Sequence, residues 1–105
     1  MSLFKKSAVP RLSLGKVLIT QAASDALDSP KEEGVPLLYR HLHGDWGDVT
    51  EQDALQNEIA LVLGMRVWSS YRLPTGKTIW IITAASRSET IILLADSDQV
   101  AVRGG

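Results

Sequence analysis

The chain has 105 residues, 45% hydrophobic and 22% charged, which suits one globular domain and excludes the disordered and fibrous classes. Its 11 Lys and Arg against 12 Asp and Glu give a formal charge of -1, so no global basic field draws in nucleic acid and any such contact has to be local. The absence of cysteine excludes disulfides, thiolate catalysis and Cys-ligated zinc, and fits a reducing interior.

Residues 1–13 read as a flexible lead-in, 14–95 as a single domain and 96–105 as a tail. Lys5 and Lys6 precede no apolar run of signal-peptide length, and the longest apolar runs, 59–63 and 91–95, are too short to span a membrane. The expectation is a cytoplasmic protein without a membrane partner. Residues 14–20, LGKVLIT, form a strand-like entry, and Thr20 is placed to cap a short alanine-rich helix over 21–27. Turn formers and charges in 28–34 predict a loop, after which Pro36 opens a second helix. In that helix Leu37, Leu38 and Leu42 share a face, Arg40 and His43 point away, and Gly44 supplies the stop. Thr50 and Asp53 then approximate a capping box. Leu55, Ile59, Val62 and Leu63 make the apolar stripe of a third helix, with Ala54 at its edge and Gly64 at its end.

From Arg66 the period changes to two. Val67, Ser69, Tyr71 and Leu73 alternate with Trp68, Ser70 and Arg72; Pro74 and Gly76 fit a hairpin loop; TIWIIT over 78–83 is too apolar for a wet face and reads as a central strand. Residues 90–94 complete a three-strand antiparallel meander. The fold class is therefore α+β, a short N-terminal strand and helices followed by the meander.

Three constellations carry the chemistry. Residues 40–48, RHLHGDWGD, gather Arg40, His41, His43, Asp45, Trp46 and Asp48. On a helix the two histidines stand about 200° apart and cannot share one metal, and the spacing matches no established ligand pattern, so neither a metal nor a cofactor is expected. A structural reading competes with a binding one: Asp45 caps backbone amides and Trp46 plugs the core beneath the loop. Second, Arg87 between Ser86 and Ser88 suits an oxyanion, since a guanidinium fork binds phosphate or carboxylate bidentately; pairing to Glu89 or a helix acid is the alternative. Third, Arg66, Trp68, Ser70 and Arg72 fall on one strand face, the arrangement used by protein partners and single-stranded nucleic acid, unless Trp68 packs under a helix.

No GxGxxG, P-loop, HExxH or GxSxG motif is present. Taken together, Leu14-Gly15, Thr20, Arg40-His41, Gly44-Asp45-Trp46-Gly47, Asn57, Ser70-Tyr71-Arg72, Gly76, Trp80-Ile81-Ile82-Thr83, Arg87-Ser88 and Thr90 resemble a family of small proteins of bacterial plasmids and integrative elements, labelled plasmid-related. The likeness runs over 14–94 and implies a mobile-element accessory protein. A restriction-methyltransferase label sometimes attached to the family finds no cofactor-binding motif here. The chain departs from the family pattern before Arg87, where Ala84, Ala85 and Ser86 replace acidic residues, and after the last strand, at Ala95-Asp96-Ser97-Asp98.

Two functions follow as expectations. The first is a non-enzymatic interaction module acting on a host or defence factor, with Arg40, Trp46, Arg66, Trp68, Arg72, Arg87 and Ser88 as binding residues and a protein as partner. The second is a metal-independent ribonuclease of barnase or RelE-like architecture, with His41 as base, Arg72 and Arg87 on phosphate, and RNA as partner. The second requires His41, Arg72 and Arg87 to meet in one cleft. An edge strand of the meander also offers a route to a homodimer.

Overall fold

A computed structural model of the chain describes residues 9–95. The elements run β1 (Lys16–Ile19), α1 (Gln21–Ala26), α2 (Pro30–Leu42), α3 (Glu51–Leu63), β2 (Val67–Arg72), β3 (Thr78–Thr83) and β4 (Glu89–Leu94). The sheet order is β1-β4-β3-β2. The meander is antiparallel as its turns demand, and β3 is an interior strand. β1 joins it parallel to β4, with Val17 opposite Thr90, so the sheet is mixed. A parallel neighbour needs a long crossover, and the three helices between β1 and β2 fall within it.

The helices pack on one sheet face. Ala23 and Leu27 at α1, with Leu37 and Leu38 of α2, meet Tyr71, Ile79, Ile81, Ile92 and Leu94, while Ala54 and Ala60 of α3 meet Trp46 and Val67. All these strand residues share one parity. Trp68, Trp80, Ile82, Ile91 and Leu93 have the other parity and belong to neither cluster. Arg11 and Leu12 fall in the expected lead-in, yet both are tied to the body: the Arg11 N–H donates to Leu42 O at 2.9 Å, its guanidinium pairs with Glu58 at 2.7 Å, and Leu12 joins the second cluster. The rest of the expected lead-in up to residue 8, and the tail, lie outside the described residues.

Two helices depart from their expected form. α2 starts at Pro30, not Pro36, because Ser29 accepts from Glu32 N as N-cap and the Glu33 carboxylate reaches back to the N–H groups of Asp28 and Ser29. Pro36 then sits inside the helix. α3 has the expected bounds, with Thr50 accepting from Asp53 N and Gly64 left-handed at the C-cap. Its rotation is the surprise. The buried residues are Ala54, Asn57 and Ala60, whereas Leu55, Ile59, Val62 and Leu63 are exposed by 46%, 38%, 83% and 66%.

The outer edge of β2 explains that rotation. An edge strand leaves alternate N–H and C=O groups unpaired. Here the Asn57 amide takes the peptide groups of Trp68, donating to its carbonyl at 2.6 Å and accepting from its N–H at 3.1 Å. Ser70 N donates to Trp46 O at 3.1 Å, Asp48 N donates to Ser70 O at 2.7 Å, and Arg72 N donates to Asp48 Oδ2 at 2.9 Å. Turning Asn57 inward turns Ile59 and Val62 outward, since they lie across the helix from it. The opposite edge of the meander, on β4, is held by β1. Neither meander edge is therefore open to a second copy.

Gly47 makes the loop contact feasible. Its φ is +76°, and a Cβ there would lie 2.1 Å from Ser70 O and 2.7 Å from the Tyr71 ring. Gly64 has φ +70° with nothing within 4 Å. Gly64→Ala is expected to cost only the left-handed backbone penalty, about 1–2 kcal/mol. Gly47→Ala adds a backbone clash and loosens the loop's bonds to Ser70, raising the loss to about 3 kcal/mol or more. Urea unfolding of the two variants checks this; equal losses would mean that the loop does not dock so closely on β2.

Candidate functional site

One polar grouping of the described residues is wholly internal. His41, near the end of α2, is buried beneath Ser69 of β2, Thr83 of β3 and Thr90 of β4, each of these fully buried as well. His41 Nδ1 bonds Ser69 Oγ, His41 Nε2 lies 2.9 Å from Thr83 Oγ1, Thr83 Oγ1 lies 2.7 Å from Thr90 Oγ1, and Thr90 donates to Leu14 O at 2.7 Å. The terminal carbonyl only accepts, and this fixes the protons as far as Nε2 of the ring. Thr90 gives its hydrogen to Leu14, so it accepts from Thr83, and Thr83 then accepts from Nε2–H. Burial disfavours a second ring proton, so the imidazole is neutral and Nδ1 accepts from Ser69. Burial, reinforced by the positive charge of Arg87, lowers its pKa to about 3.

The loop following α2 is built the same way. Trp46 is buried, edge-on to His41 at 5.7 Å, with its indole N–H donating to Glu58 at 3.1 Å. It plugs the core, and it is not a surface anchor. His43, expected to point away from the core, is also buried: its Nδ1 donates to Tyr39 O at 2.7 Å and its ring stacks 4.1 Å from that of Tyr39. Arg40 forks onto Asp45, at 2.8 and 3.2 Å, and lies 4.6 Å above the Tyr71 ring, whose hydroxyl donates to Asp45 O. Among the described residues no three His, Cys, Asp or Glu side chains are grouped to hold a metal.

Arg87 is occupied by backbone. Its guanidinium donates to Met65 O at 2.7 Å, Ala84 O at 3.0 Å and Ala60 O at 3.4 Å, pinning the β3–β4 connection to the C-terminal end of α3. Those bonds hold Arg87 at φ +62°, an uncommon backbone state for a non-glycine residue. Ser88 is exposed and shares a hydrogen bond with Ser86 at 2.7 Å.

His41, Arg72 and Arg87 do not converge. His41 is sealed on the helix side, Arg72 is exposed and of opposite strand parity, and Arg87 is spent on carbonyls. A ribose 2′-hydroxyl has no path to the imidazole here, so the geometry lends the ribonuclease reading nothing. Of the expected strand row, Arg66 and Arg72 are exposed, and Trp68 is half-buried on the face away from the helices. It packs edge-to-face against Trp80 with centroids 5.1 Å apart, a partner that strand alternation alone did not name.

Sequence reasoning passed over Ser69, Thr83 and Thr90 as a group. The available signal was their parity: each falls on the same strand face as Val67, Tyr71, Ile81 or Ile92, where a polar residue needs a partner. The apolar stripe of α3 was legible in the sequence, but not that it faces solvent, where it forms an exposed apolar run. No helix among the described residues is long and apolar enough to cross a membrane.

The seam makes a pH prediction. An unfolded His41 takes up a proton near its ordinary value of 6.5, whereas the folded one does so only near 3. Between these values the unfolded state binds more protons, so stability is fully present above pH 6.5 and falls as pH drops below it, by up to about 1.4 kcal/mol per pH unit. Glu58, held below its ordinary 4.5 by the Arg11 hydrogen bond, contributes its own loss only at lower pH. Urea unfolding between pH 6.5 and 4.5 should therefore show a slope that His41→Gln flattens. Parallel curves would mean that the imidazole is not shielded.

No protein-family model matches the chain, and neither a curated protein nor a solved structure is significantly similar to it.

Proposed function

We propose that this chain is a non-enzymatic interaction module, the accessory protein of a mobile element that its sequence blocks resemble, working in the cytoplasm by binding a protein. The observation that carries the reading is the outer face of α3. Leu55, Ile59, Val62 and Leu63 are 38–83% exposed on a helix that docks through Ala54, Asn57 and Ala60. A domain of this size has apolar side chains to spend on its core, and each one left half-exposed forgoes on the order of 1 kcal/mol of burial. A contiguous apolar stripe on a helix is the form taken by helix-mediated recognition, with anchors at i, i+4 and i+7. Leu55, Ile59 and Val62 have that spacing.

Trp68, Arg66 and Arg72 supply a second, more polar contact surface of the composition common at hot spots. Arg40, Trp46 and Arg87 support the surface indirectly, by holding the loop, the core and the end of α3 in place.

The test is induction in a bacterium followed by capture of the tagged chain and inspection of total RNA. Intact RNA is expected, with protein captured by the wild type. Capture should fall at least tenfold in Val62→Glu, whose far-ultraviolet circular dichroism and urea midpoint stay near those of the wild type because the side chain lies in solvent. RNA fragmentation, or capture indifferent to Val62, would overturn the reading.

A further inference from the structure

We infer that the outer face of α3 is occupied by the same face of a second copy of this chain, in an antiparallel pair about a two-fold axis near Ile59. The inference deepens the interaction reading and rests on it. Two separate features of α3 select this occupant.

The first is the distribution of apolar groups. Leu55 and Val62 flank Ile59 at nearly equal distances along the helix, so a two-fold axis beside Ile59 sets Leu55 of one copy against Val62 of the other and Ile59 against itself. Leu63 and the half-exposed Met65 extend the strip at one end, and exposed Gln52 and Gln56 give it a polar rim.

The second is charge. The first turn of α3 carries Glu51 and Asp53, while at its other end Arg66 follows the glycine cap and the Arg87 guanidinium rests on the Ala60 and Met65 carbonyls. One end is acidic and the other basic, and the helix dipole has the same antiparallel preference for its copy. The midpoint between Glu51 and Arg66 falls beside Ile59, where the apolar strip also has its centre. One axis therefore matches both patterns, and a parallel pair would oppose like charges at each end.

A contact along one helix of this length falls short of the roughly 800 Å² per partner buried in stable complexes. The pair is accordingly a weak, concentration-dependent dimer. This differs from a dimer through an edge strand of the meander, since both edges of the meander are covered within the chain.

The experiment uses the full chain, which has no native cysteine to confuse it. Sedimentation velocity over about a hundred-fold range of concentration should show the wild type passing from monomer to dimer and Val62→Glu remaining monomeric. Ile59→Cys should form a disulfide-linked dimer with oxidised glutathione. Gln52→Cys should not, because in the antiparallel pair its copies lie roughly 20 Å apart along the helices. Equal cross-linking of the two variants, or cross-linking of neither, overturns the antiparallel pair. A wild type that stays monomeric also overturns it, and if such a monomer still captures a different protein through Val62, the interaction reading stands without the dimer. Loss of both overturns both.

Discussion

The exposed edge of β2 sets the terms for the rest of the fold. The peptide groups at Trp68, Ser70 and Arg72 point away from β3, and leaving them bare would invite another strand. The chain covers them from two sides, with the Asn57 amide and with the backbone and carboxylate of the loop at Trp46 and Asp48. Because Asn57 must face the sheet, α3 can approach only through the small side chains beside it, Ala54 and Ala60. Its larger apolar residues are consequently turned to solvent. A single polar contact of a few ångströms thus decides which face of α3 is turned to solvent.

A second constraint lies beneath the same strands. Four polar side chains, His41, Ser69, Thr83 and Thr90, share the helix-facing side of the sheet, ending on the carbonyl of Leu14. A buried network of this kind is stable only when each donor meets an acceptor, and this one closes without a spare hydrogen. No buried side-chain nitrogen or oxygen of the described residues lacks a partner. The seam ties the chain before β1 to β4, β3, β2 and α2, elements far apart in sequence. The histidine that most invited a catalytic role is a structural tie, neutral because it is dry.

The surfaces draw on other residues. The polar loop, Arg87 and Trp46 are consumed in building the domain, as their short hydrogen bonds to carbonyls and carboxylates attest. Among the described residues, the outer surface includes an apolar strip on α3 and an aromatic pair with arginines beside β2.

Much was legible before any coordinates. Thr50 and Gly64 bounded α3, Thr20 capped α1, and the alternation from Val67 onward gave the meander with β3 inside it, because caps and periodicity act over a few neighbouring residues. The start of α2 was missed because Pro36 resembled a first-turn proline, while the Ser29 cap and the Glu33 reach-back are equally local but less conspicuous. The direction of α3's stripe was not legible at all. Amphipathicity assigns an apolar face but does not say what that face meets. The bond from Asn57 to Trp68, across a loop and a change of element, outweighed it. Local sequence determined which elements form and where most of them end. The tertiary structure alone decided which faces turn inward, because that choice depends on satisfying peptide groups brought together only when the sheet is assembled.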